Sequence, residues 1–166
     1  MCIMSETTPQ QRLPWENRWN PPAMEDLIRP IQDQSRKALS TLMDQIDGLE
    51  GLEHRLHWYG PSWRWTIEYR VGELSKSKAE EPEAVCYLVP NAERPIVCVP
   101  LTNAVVEKLP MRRLNKLVRN GIRSAKCAVS VHWATWNLTA SAEVPHLFDL
   151  IKRKRKLLAA AEAANA

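Results

Sequence analysis

From His54 onward the hydrophobic period of this chain changes from 3.6 residues to 2, and it stays there through Leu101. In WRWTIEYR the alternation puts Trp63, Trp65, Ile67 and Tyr69 on one face and Arg64, Thr66, Glu68 and Arg70 on the other. The register has little freedom, because a slip of one residue would bury two Arg and one Glu while exposing two Trp. Ahead of this run, Gly60-Pro61 reads as the turn from a first strand that starts at His54. Behind it, the polar loop GELSKSKAEEPE, residues 72–83, leads to AVCYLVP and RPIVCVPL, joined by the turn NAER. Four such strands in succession read as a mainly antiparallel meander.

Helical spacing brackets the meander. In NPPAMED, Asn20 suits an N-cap, the prolines suit a first turn and the acids suit its positive end. Leu27, Ile28, Ile31, Ala38, Leu39, Leu42 and Ile46 follow at helical spacing, with Pro30 expected to kink or restart the helix and Gly48 and Gly51 to end it. After the meander, TNAVVEKL reads as a short helix, MRRLNKLVRNGIRSA as a second, CAVSVHWATW as a fifth strand and SAEVPHLFDLIKRKRKLLAAAEA as a closing helix. The predicted fold class is α+β: an antiparallel sheet of four to five strands, helices on one face, a long N-terminal helix and a basic C-terminal one. Residues 1–19 read as an extended arm with Trp15 and Trp19 as its adhesive points, 20–158 as one domain and 159–166 as an Ala-rich tail.

With HWYGPSWRWTIEYR followed by AVCYLVP and RPIVCVPL, this order of elements resembles the domain-of-unknown-function family 3788, near the YdhG-like α+β domains. The resemblance covers roughly residues 20–155. It implies a small α+β fold with an antiparallel sheet and no established activity, and it brings no catalytic residues; the Trp-bearing arm and the basic tail depart from a minimal version.

A chain of 166 residues, 45% hydrophobic, can bury a core as one domain. No apolar run reaches the ~18 residues of a membrane span, and MCIMSETTPQ lacks the basic flank and apolar stretch of a secretory signal, so a cytoplasmic protein is expected. Cys86, Cys98 and Cys127 sit in apolar strand-like runs and, with Cys2, show no CxxC spacing; the three are expected to be buried free thiols.

The aromatic hairpin supports two readings. Its rings are the inward face of a strand, or part of the wall stays open as a pocket for a small molecule or peptide, lined by Trp58, Tyr59, Trp63, Trp65 and Tyr69 with polar contacts from Arg64, Glu68 and Arg70. Seven Trp against one Phe favour rings with a polar handle. His54 and His57 point to opposite faces of a strand and cannot chelate together, so neither a metal nor any other cofactor is expected. With no GxSxG, no Gly-rich loop and no evidently activated cysteine, an enzyme of unknown class ranks third.

Charge separates along the chain. Residues 1–107 carry 11 Lys and Arg against 16 Asp and Glu, whereas residues 108–166 carry 12 against 3. On a helix, Arg112, Lys116, Arg119 and Arg123 fall within about 60° of arc, opposite Met111, Leu114, Val118, Ile122 and Ala125. A second basic run, Lys152, Arg153, Lys154, Arg155 and Lys156, interrupts an apolar stripe, so the closing helix is expected to leave the domain body near Lys152. Both clusters read either as solvated faces or as a site for nucleic acid or another anionic partner, and the opposite charges leave a homodimer open. Indoles lining a cavity would favour the pocket; a continuous basic surface would favour the anion.

Overall fold

The computed structural model describes residues 12–71 and 84–164; the expectations for Cys2 and for the loop at 72–83 lie outside them. The fold is α+β. Strands β1 (Leu52–Trp58), β2 (Trp65–Val71), β3 (Ala84–Val89), β4 (Ile96–Thr102), β5 (Lys126–Ala128) and β6 (Val131–Asn137) form one sheet. Its order is β1-β2-β3-β4-β6-β5, antiparallel throughout. The sixth strand is a correction. CAVSVHWATW is a hairpin rather than a single strand, because Val129 and Ser130 both take positive φ (49° and 63°) and turn the chain in two residues. Neither is Gly, so the usual marker of such a turn is missing.

Helix α1 (Met24–Ile28) stops ahead of Pro30, and α2 (Asp33–Asp47) restarts beyond it, as a ring without an N–H requires. The start of α2 is tied to the β3–β4 turn by Gln32 N–H donating to the Ala92 carbonyl (2.7 Å) and Ser35 Oγ donating to the Glu93 carbonyl (2.9 Å). Its stripe of Ala38, Leu39, Leu42 and Ile46 packs with Val144, Leu147, Leu150 and Ile151 of α6 (Val144–Ala164) over the face of the sheet that carries Ile67, Tyr69, Leu88, Val97 and Val99. A single turn, α3 (Gly60–Trp63), links β1 to β2, and α4 (Asn103–Lys108) follows β4, capped by Thr102 Oγ1 on Val105 N–H (3.4 Å).

The second basic helix expected from MRRLNKLVRNGIRSA is two pieces. Met111–Arg113 is a 3-10 turn, Leu114 is extended, and Asn115 caps α5 (Lys116–Arg123) by accepting from Leu117 N–H (2.8 Å). Arg112 therefore stands outside the stripe it was expected to join. Gly121 sits inside α5 because the Trp136 indole lies against it; a Cβ there would come within 2.2–2.6 Å of the ring atoms. The same indole donates to the Leu117 carbonyl (3.1 Å).

Helix α6 does not leave the body at Lys152. Lys154 is fully buried one turn after Ile151, and Leu157 and Leu158 still pack against the core. The β3–β4 ladder pairs Tyr87 with Cys98, Leu88 with Val97 and Val89 with Ile96, then stops. Beyond it the strands part, and the Lys154 ammonium enters the gap to donate to the carbonyls of Ala84 (2.6 Å) and Pro100. Pro100 has no N–H to continue a ladder, and the lysine supplies the missing donor.

The arm docks through one of its two indoles. Trp15, in a 3-10 turn at Pro14–Glu16, is buried, whereas Trp19 is 84% exposed with the Arg18 guanidinium 5.0 Å above its ring. Cys86 and Cys98 are buried free thiols, but Cys127 is exposed, because it lies in β5, a three-residue strand at the sheet edge whose residues are all exposed.

Candidate functional site

Between β1 and β2 the chain turns through Gly60, at φ +83°, and Arg64, at φ 56° and ψ −138°. A non-Gly residue in that region costs of order 1–3 kcal/mol and persists only where its surroundings hold it. Here the Arg64 N–H donates to the Gly60 carbonyl (2.8 Å), its carbonyl accepts from Tyr59 N–H (2.9 Å), and its guanidinium reaches Glu16 (3.5 Å). The unusual backbone sends Trp63 to the opposite side of the sheet from Trp65, so the two do not share a face. Trp65 and Tyr69 face the helices as expected. The Trp65 indole donates to the Asn17 carbonyl (2.7 Å), and Trp58 meets it edge to face at 5.8 Å, half-buried at the margin of the core.

On the other face of the sheet, Glu68 and Arg70 are buried, not available to solvent. Arg55, opposite Glu68 across the β1–β2 ladder, donates through Nε to Glu68 Oε2 (2.6 Å), and Arg70 pairs with Glu68 Oε1. The charges are buried because they are paired, which removes the cost that made the opposite expectation reasonable. Burial alone would raise the Glu68 carboxyl, but the nearby Tyr59 hydroxyl and the pairing with Arg55 and Arg70 outweigh it and hold the group below its ordinary value. Burial, reinforced by Glu68, pushes the Tyr59 hydroxyl well up. The hydrogen bond to Glu68 raises Arg55.

Above this ionic layer lies an aromatic tier assembled from three segments. Tyr59, Trp63, Tyr87 and Trp133 cover Ala84 and Cys98. Tyr87 stands 5.4 Å from both Tyr59 and Trp63, and Trp133 stands 6.2 Å from Tyr87 and 6.4 Å from Trp63. Tyr87 is buried, and its hydroxyl is pushed up to about 12. Tyr59, Trp63 and Trp133 are half-exposed. Sequence reasoning missed Tyr87 and Trp133; the available signal was their inward position on AVCYLVP and HWATW, two runs whose adjacency to the turn at Gly60 is set by tertiary pairing.

These rings pack on one another. A groove of about 570 Å³ lies elsewhere, between the arm and α1, where Arg12, Asn17, Asn20, Asp26 and Arg29 meet Leu13 and three prolines. His54 lies beside Asp47 (3.4 Å) and His57 packs against Tyr59 with tilted rings (4.7 Å), on opposite faces of β1. Among the described residues no three metal-ligating side chains converge. Burial pushes the Cys86 and Cys98 thiols up to about 12, the reverse of what a nucleophilic cysteine requires.

The two basic clusters differ in kind. Lys108, Arg112, Arg113, Lys116, Arg119, Arg123 and Lys126 are exposed except for half-buried Arg119, and no Asp or Glu occurs between Glu107 and Glu143. Among the described residues none of the seven makes an ion pair, whereas Arg29, Arg36, Arg55, Arg64, Arg70 and Arg153 all do. In the second cluster Arg153 bonds Asp149 (2.8 Å), Arg155 donates to the Glu50 carbonyl and Lys154 is inside the core. Only Lys152, 5.7 Å over the Phe148 ring, and Lys156 remain exposed there.

No family model, curated protein or solved structure matches this chain. Among the described residues no helix is long and apolar enough to cross a membrane.

Proposed function

We propose that this protein binds a polyanion, most directly nucleic acid, through the surface formed by residues 108–126. The observation that carries the reading is seven Lys and Arg within that span with no acidic residue among them and, among the described residues, no ion pair made by any of them. Exposed cations normally find partners or are interspersed with acids; a set left unpaired on one segment favours phosphates, whose neutralisation releases condensed counterions. The 152–156 run does not extend this surface, since the fold uses three of its five cations.

The experiment is fluorescence anisotropy of a labelled oligonucleotide, single and double stranded, across a salt series. Wild-type affinity should fall as salt rises, with a log–log slope of about −0.7 to −0.9 per phosphate contact. Replacing Arg113, Lys116 and Arg123 together by Gln should weaken binding at least about tenfold and flatten the slope by about 2–3. Absence of binding near ~50 mM salt, or a triple variant that binds like wild type, overturns the reading.

A second reading, a small-molecule or peptide site, is favoured by one observation: Tyr59, Trp63 and Trp133 remain half-exposed beside the Arg55–Glu68 pair. A thermal-shift screen tests it, because a ligand at 100 times its Kd stabilises the fold by about 2.7 kcal/mol.

A further inference from the structure

We propose that the polyanion is single-stranded nucleic acid, and that its bases stack on the aromatic tier of the sheet through Trp133 and Trp63. This inference rests on the polyanion reading and adds to it the strand state of the ligand and the residues that sense it.

The argument starts from the β5–β6 register. Lys126 is the direct cross-strand partner of Trp133, which places both side chains on the same face with Cβ atoms about 5 Å apart. Lys126 is exposed and Trp133 half-exposed, so an unpaired cation borders the tier. Arg123, the last residue of α5, precedes Lys126 by three residues and lies within about 11 Å of it along the chain. The cationic set therefore continues in sequence from α5, which packs against Trp136 on the helix-facing side of the sheet, round the β5 edge to Lys126 on the ring side.

Rings flanked by cations are what sequence-tolerant recognition of single strands uses: each base offers a π-face to an aromatic side chain while Lys and Arg follow the backbone. A duplex keeps its bases stacked on one another and offers only phosphates to such a surface, so the rings distinguish the two forms.

Packing makes the rings ready for that contact. Trp63 is held between Tyr87 at 5.4 Å and Trp133 at 6.4 Å, and the backbone of Arg64 fixes the direction from which it arrives. Little side-chain freedom remains to be lost on stacking, which is the condition under which an aromatic contact yields its full affinity.

The test uses the full chain, a labelled deoxythymidine oligonucleotide of ~12 residues and a duplex of the same length, by anisotropy at one fixed low salt concentration. The single strand should bind more tightly and quench the protein's indole fluorescence. Trp133→Ala should weaken the single strand by about 5- to 150-fold and leave the duplex unchanged, while the triple Gln variant weakens both. Because Trp133→Ala opens a hole over Cys98, Trp133→Leu is run beside it, keeping apolar bulk without a stacking surface. Duplex binding equal to or tighter than single-strand binding overturns this inference and leaves the polyanion reading standing. Unchanged single-strand affinity in folded Trp133→Leu does the same. Failure to bind either nucleic acid removes the reading and the inference with it.

Discussion

Two segments of this chain look alike on paper and are put to opposite uses. Residues 108–126 and 152–156 are both dense in Lys and Arg, yet the first presents its cations unpaired and the second is largely consumed by the fold. The difference lies in the neighbours. Segment 108–126 has no acid within it, and among the described residues none of its cations is in an ion pair; α6 crosses the sheet where Pro100 leaves a carbonyl without a ladder partner and where Ala84, Glu50 and Asp149 offer further acceptors. A run of cations thus becomes surface or scaffold according to which acceptors the topology brings to it, and composition alone does not distinguish the cases.

The largest effect that can break this comparison is at Lys154. Its ammonium satisfies two backbone carbonyls in the interior, and hydrogen bonds to a charged group are worth about 1.5–3 kcal/mol each. Lys154→Met keeps most of the apolar stem and removes the donor, and should cost about 3–5 kcal/mol in denaturant unfolding. Lys116→Met, in the free segment, should stay within about 0.5 kcal/mol of wild type. Equal losses at the two positions would abolish the distinction between the segments.

Much of the scaffold is legible in the sequence. The period-2 runs gave the meander, Pro30 gave the break between α1 and α2, and the bulky members of WRWTIEYR from Trp65 onward face the core as the alternation required. What escaped depended on contacts distant in sequence or on backbone conformation. Trp63 crosses the sheet because of the φ that Arg64 adopts, which no side-chain pattern reports. Glu68 and Arg70 are buried because Arg55 stands opposite, a pairing fixed by register, and Asn115 reads as one more polar residue in an amphipathic run until its side chain caps α5. Of the candidate site, Tyr59 and Trp63 were legible from their own hairpin, while Tyr87 and Trp133 needed the strand order.

A smaller effect sharpens the comparison from the side of tied cations. Glu68 holds Arg55 and Arg70 as α6's acceptors hold Lys154, and its carboxyl lies below the ordinary value. A depressed pKa means that the folded state favours the ionised form, so this stabilisation is complete above the unfolded value, near 4.5, and is lost as pH falls through the folded value. Glu68→Gln should therefore cost about 3 kcal/mol at pH 7, with the gap to wild type narrowing in acid. A gap that stays constant or widens as pH falls would show that the carboxylate's charge is not what stabilises the layer.

The smallest effect is the most discriminating for the free segment, because its sign differs. On α5, Arg119 lies three residues after Lys116 and four before Arg123, so it takes part in two like-charge pairs of the spacing that faces one side of a helix. Each such pair costs about 0.2–0.5 kcal/mol at low salt. Gln has nearly the helix propensity of Arg, and Arg119→Gln should stabilise the protein by up to about 0.5 kcal/mol in low salt, measured by the urea midpoint. Raising salt to ~1 M contracts the Debye length to about 3 Å, and the advantage should disappear. A loss above about 1 kcal/mol would mean that Arg119, half-buried as it is, spends its guanidinium on the fold like Arg153 and Arg155, and the boundary between the two kinds of segment would then fall inside α5.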